Sequence, residues 1–163
     1  MKLFQYILVS LACTSCTLNV SFNGGKVPDG AETIQIDYFP AASTAPLASG
    51  LTSQNFTEAL RDVFLAQTKL SMVSQEGDLH FMGEIKNYTI VPINISASSE
   101  TAAQNRLTVG VEVQYFMNQD SLVFKRNFQR FADYDSNKDF ASIEEELFFL
   151  LRQIIVTRFL YLF

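Results

Sequence analysis

The stretch "FADYDSNKDFASIEEEL", residues 131–147, has the oxygen spacing of a helix-flanked calcium loop. Asp133, Asp135, Asn137 and Asp139 alternate, and Glu144 is twelfth when Asp133 is counted first. Those are positions from which such loops supply their ligands. Two features point elsewhere. The sixth position, where Gly makes the sharp turn, is Lys138, which adds a positive charge to the would-be site. The residues before the loop alternate like a strand, so one flanking helix is missing. The segment therefore reads as a strand-to-helix junction whose Asp, Asn and Ser side chains bond backbone amides. Asp139 or Ser142 can cap the helix, and Ser142 with Glu145 has capping-box spacing. On this reading Asp135 and Ser142 contribute to stability, and no metal or other cofactor is expected.

Other chemistry has less to work with. The chain has one His, His80, in an alternating strand, and no G-x-S-x-G occurs. The acidic residues fall at turns and at a helix start, where a solvated role is usual. An enzyme is not expected. With a formal charge of −5 and no basic run interleaved with aromatics, nucleic acid is not expected as a partner either. The sequons "NFT", "NYT" and "NIS" read as chance matches.

The first sixteen residues, "MKLFQYILVSLACTSC", are a single Lys, an apolar run of about ten residues, then small residues and a cysteine. The run is too short for a stable membrane-spanning helix. Cys16 directly after Thr14 and Ser15 makes the segment resemble a bacterial lipoprotein signal, in which the thiol is lipidated and the chain is cut just before it. Cys13, after Ala12, offers a second frame. Cys16 is preferred because it gives the apolar segment the more usual length. Cleavage there leaves one cysteine, its sulfur occupied, and so excludes a disulfide framework. Two or three acyl chains on one residue give stable anchoring at a membrane surface.

The elements that follow must position whatever chemistry remains. Residues 1–15 form the signal, residues 16–31 a Gly- and Pro-containing flexible tether, and residues 32–163 a single domain. With 48% hydrophobic residues and 15 Phe the chain can bury a substantial core. "TIQIDYF" alternates as a half-buried strand. A helix begins at about Ser53, capped by Thr52 or Ser53, with Phe56, Leu60, Val63 and Phe64 on one face. "LSMV" is a short strand, and "LHFMGEIKNYTIVPI" is a long one in which Pro92 should end regular pairing. The polar stretch "NISASSETAAQN" is an exposed excursion before "RLTVGVEVQYF", the most regular alternation in the chain. "LVFKRNFQRFADY" is a further strand, with a bulge expected near Phe131. The last helix is expected from about Ser142 to Leu160, with Ile143, Leu147, Leu150, Leu151, Ile154 and Phe159 on its apolar face. Glu144, Glu145 and Glu146 would sit in its first turn, and Arg152 and Arg158 near its end. The fold class is α+β: a two-layer sandwich of one mixed or antiparallel sheet of four to five strands, with both helices packed on one face. The other face carries Glu84, Lys86, Glu112 and Lys125 and should meet water or a polar partner.

Taken in order, the lipoprotein cysteine, the tether, "TIQIDYFP", "LTSQNFTEALRDVFLAQTKLSMV", "GDLHFMGEIKNYTIVPI", "ETAAQNRLTVGVEVQYF" and "FADYDS…EEEL" resemble the lipopolysaccharide-assembly lipoprotein family in its Bacteroidetes form. The resemblance implies a non-enzymatic outer-membrane lipoprotein that faces the periplasm, anchored through its N-terminal lipid. It further implies a role as partner and plug of a large β-barrel that inserts lipopolysaccharide, with lipopolysaccharide itself as a ligand. By the same resemblance, basic side chains would face the glycolipid phosphates, and here these are Lys86, Arg106, Lys125, Arg126 and Arg130. The alternative is a periplasm-facing module that binds a glycan or peptide without a barrel.

Overall fold

The computed structural model describes residues 27–93, 104–118 and 120–162. The signal, Cys13, Cys16 and most of the tether lie outside the described residues, as does most of the polar excursion at 94–103. In chain order the elements are β1 (Thr33–Ile36), α1 (Gly50–Gln67), β2 (Ser71–Val73), β3 (Leu79–Ile93), β4 (Gln104–Met117), β5 (Ser121–Asp135) and α2 (Phe140–Leu160). The strands form one mixed sheet in the order β2-β1-β3-β4-β5. β1 is parallel to both β2 and β3, while β3, β4 and β5 make an antiparallel meander.

The parallel half follows from its connections. α1 carries the chain back so that β2 can lie parallel to β1. The short turn after β2 then crosses β1 to start β3. Gly77 lies where the crossing chain touches β1, and a Cβ there would stand 2.7 Å from the main-chain nitrogen of Gln35. Asp78 fastens the crossing: its Oδ2 accepts from the main-chain N–H groups of Glu32 and Thr33 and from the Thr33 hydroxyl. These donors, the Glu32 N–H first, hold the Asp78 carboxyl below its usual pKa.

Both helices cover one face of the sheet. α1 buries Phe56, Leu60 and Phe64, and α2 buries Leu147, Phe148, Leu151, Ile155 and Phe159. They meet the sheet through one aromatic cluster. The Phe159 ring is 5.3 Å from both Phe81 on β3 and Tyr115 on β4, and Phe64 is 4.8 Å from Phe81. Edge-on and tilted contacts of this kind add to the area that the rings bury. Tyr115 is enclosed with its hydroxyl unpaired, and burial pushes its pKa up to about 12. A second link joins the layers at the other end, where the Tyr88 hydroxyl donates to Glu144 Oε1 at 2.6 Å.

Several local expectations are corrected. α1 starts at Gly50, three residues early, because Ser49 is its cap and accepts from the Thr52 N–H at 3.0 Å. Thr52 and Ser53 instead lie buried in the first turn. α2 starts at Phe140 and is capped by Asp139, which accepts from the Ala141 N–H and the Ser142 hydroxyl. Glu144, Glu145 and Glu146 therefore fall in the second turn, and Glu145 pairs with Arg152 at 2.8 Å rather than closing a capping box. Arg152 is not an end-of-helix cation but is 4% exposed, whereas Leu150 faces outward. The pairing of β3 runs past Pro92, with Pro92 opposite Asn105 and Ile93 opposite Gln104. At that level no strand among the described residues lies on the other side of β3, so a missing N–H costs no bond in the sheet described. No bulge occurs at Phe131. The irregularities sit between Ile85 and Asn87 in β3, and opposite Tyr115 and Phe116, where Val123 is the extra residue in β5. Phe131 simply points to the helix-free face, where it is exposed.

Candidate functional site

The carboxylates of residues 133–139 do not converge. Asp133 receives two bonds from Arg106, Asp135 accepts from Gln104, and Asp139 caps α2. The chemistry lies instead in how the fold sorts its cations.

On the helix-free face each cation meets a carboxylate. Lys86 pairs with Glu84, and Lys125 pairs with Glu112 at 2.8 Å. Arg106 grips Asp133 with two prongs at 2.6 and 2.7 Å and lies 4.2 Å over the Phe131 ring. The pairing shows in the acidities. The bond from Lys125 holds Glu112 below its usual value, and the bond from Arg106 does the same to Asp133. Glu84 and Asp133 raise the values of Lys86 and Arg106. On the same face His80 is 2.8 Å from Asp37, and Gln35 bonds both.

β5 is the last strand of the sheet, and its pleat puts Phe124, Arg126, Phe128 and Arg130 on the side of the helices. Phe124 and Phe128 enter the core. Arg126 and Arg130 stay exposed at the edge. On α2 a stripe of Leu151, Ile154 and Arg158 faces them, since residues three, four and seven apart share a helix face. Between strand and helix lies a cavity of about 310 Å³, lined by Arg126, Phe128, Arg130, Leu151, Ile154 and Arg158 with the intervening Asn127 and Gln129. Its floor is apolar and its rim carries three guanidinium groups. None of the ion pairs among the described residues involves Arg126, Arg130 or Arg158. Among the described residues Arg130 donates to the Gln129 carbonyl at 3.3 Å.

The five cations singled out in the sequence thus divide. Arg126 and Arg130 come together, while Lys86, Arg106 and Lys125 are turned to the opposite face and neutralised. The sequence reading missed Arg158 as a member of this site. Its signal was its place on the same helical stripe as Leu151 and Ile154. Chemically, an electropositive rim above an apolar floor suits an amphipathic anion. Guanidinium groups can grip phosphate or carboxylate in a fork, and an apolar part of the ligand can lie against the partly exposed Ile154.

Comparison with known proteins places this site in context. The lipopolysaccharide-assembly (LptE) family matches residues 31–159. The chain belongs to that family. It is therefore a lipopolysaccharide-assembly protein, and nothing in the match indicates an enzyme. Solved structures share the fold at low identity. A hypothetical protein from Chlamydia trachomatis is 14% identical with a TM-score of 0.54, the alignment covering 78% of this chain and 95% of that one. A protein from Xanthomonas campestris is 13% identical with a TM-score of 0.55, covering 82% and 88%. A minor lipoprotein from Acinetobacter baumannii is 13% identical with a TM-score of 0.50, covering 80% and 90%. No curated relative matches the sequence.

Proposed function

We propose that this protein is anchored by acyl chains on Cys16 to the inner leaflet of the outer membrane, faces the periplasm, and works as the plug of a large β-barrel that inserts lipopolysaccharide. The glycolipid's phosphates meet Arg126, Arg130 and Arg158, and its apolar part lies over the floor of that cleft. The observation that carries the ligand assignment is the set of three arginines that have no carboxylate partner among the described residues. Lys86, Arg106 and Lys125 would each have to give up an ion pair before taking a phosphate. Family membership supports the assembly role, and the lipoprotein-like signal at Cys16 supports the anchor.

The test is affinity purification of the acylated protein from detergent-solubilised outer membranes, with partners identified by mass spectrometry. A barrel of far larger mass should co-purify. Recovery as a free monomer would overturn the plug assignment and favour a glycan- or peptide-binding module without a barrel. The intact mass of the mature N-terminus decides between Cys16 and Cys13.

A further inference from the structure

The sheet ends on two unequal edges. β2 offers three residues and β5 fifteen. A typical strand has about 5–6 residues, so β5 is unusually long for an edge. Past Val123 its pairing with β4 is regular from Phe124 to Asp135, and no other strand pairs with its outer side among the described residues. Such an edge presents a row of main-chain N–H and C=O groups that can template another strand. Charges on an edge often serve to prevent that pairing. On the helix side of β5 the charges are of one sign: Arg126 and Arg130 stand there with Phe128 between them and Arg158 across the cleft. Asn127 and Gln129 also line the cavity although their pleat positions belong to the other face, so the edge main chain forms part of the cavity wall.

We propose that the outer edge of β5 accepts an extended segment of a protein partner with an acidic, an apolar and an acidic residue at successive alternate positions. The two acids would stand beside Arg126 and Arg130. Those sites are about 13–14 Å apart at ~3.4 Å per residue, the same spacing as two acids four residues apart on the incoming strand. The apolar side chain between them covers Phe128 and Ile154, and Arg158 closes over one carboxylate. A second copy of β5 does not fit this edge, because it would bring another set of the same arginines to one seam, and like charges across a strand pair are destabilising. The inference goes beyond the glycolipid assignment and does not depend on it. The two anions meet the same arginines and therefore exclude one another at the cleft.

The probe is a nine-residue peptide of threonines with glutamate at its third and seventh positions and valine at its fifth. One version is methylated on the main-chain nitrogens of residues three, five and seven, and another on those of residues four and six. In an extended strand these two sets of N–H groups point to opposite sides, so only one set faces β5. Titration into the full-length lipoprotein in detergent, followed by fluorescence anisotropy, should show one methylated peptide weakened about tenfold or more, from the hydrogen bonds lost, and the other little changed. Amide exchange should slow in residues 124–134, and R126E/R130E should weaken the unmodified peptide by a similar factor. Equal binding of both methylated peptides, or no binding of the unmodified one, overturns strand addition. The same protein samples titrated with purified lipopolysaccharide keep the two ideas apart. Loss of glycolipid binding in R126E/R130E/R158E with indifferent methylation sinks the strand and leaves the glycolipid assignment standing. The converse result sinks the glycolipid assignment alone.

Discussion

Lys125 and Arg126 are neighbours in the chain, and the fold treats them in opposite ways. The pleat turns Lys125 to the helix-free face, where it lies 2.8 Å from the largely buried Glu112 on β4. It turns Arg126 to the helix side, where β5 has no further strand to supply a carboxylate and the opposing residues on α2 are Leu151, Ile154 and another cation, Arg158. Lys86 and Arg106 share the fate of Lys125, and Arg130 that of Arg126. On the helix-free face the cations have carboxylates beside or across from them on the strands. On the helix side the neighbours of β5 are apolar residues and a further cation. A side chain's availability to a ligand is thus set by the face its pleat gives it more than by its type.

The difference can be broken most severely at the cleft. R126E/R130E/R158E is expected to weaken lipopolysaccharide binding by about a hundredfold or more, because each charge-assisted contact is worth about 1.5–3 kcal/mol. Its unfolding midpoint in urea should move little, since surface substitutions away from buried networks stay within about ±0.5 kcal/mol each. The matching triple variant of Lys86, Arg106 and Lys125 to Ala should bind the glycolipid like the wild type. Equal losses in the two triple variants would erase the distinction between the faces.

A second measurement uses acid. Glu112 and Asp133 have pKa values depressed in the folded chain by Lys125 and Arg106. Their contribution to stability is present in full above the ordinary carboxylate values near pH 4 and is lost as the pH falls through the lower folded-state values. Urea unfolding between about pH 5 and pH 2 should lose part of its acid slope in E112Q/D133N and keep it in R126A/R130A/R158A. Smaller still is the effect of freeing one paired cation. E112Q should leave Lys125 without its carboxylate and raise glycolipid binding by no more than a few-fold, because a single lysine lacks the fork that three converging guanidiniums provide. At the start of α2, Asp139→Ala tests which of the two expected caps is used and should cost about 0.5–2 kcal/mol in the same unfolding assay, whereas Ser142→Ala should cost less.

The order of elements and the one-sided packing were legible because alternation in β3, β4 and β5 and the four-residue spacing in both helices are local signals. The helix starts were blurred by runs of capping residues. "SGLTS" and "DSNKDFAS" each contain several side chains able to cap, and only the fold decides between them. Phe131 misled because an aromatic in an alternating strand was expected to go inward, yet it lies under Arg106 on the open face. The candidate site was half visible. The basic run at 125–130 stood out, but the sequence does not say which of its members will have carboxylates across the sheet. Arg158 was hidden because its partners lie some thirty residues away in sequence and meet it only when α2 packs on β5.

The strand order also fixes a distance. Val27 and Ala31 pack at the β2 end of the sheet, beside Leu70 and Ser71, while the arginine cleft lies at the other end, between β5 and α2. With neighbouring strands about 4.8 Å apart, four intervals separate the two edges by roughly 19 Å. The sheet acts as a rigid spacer, so the point where the chain enters the domain and the arginine cleft are held at opposite margins.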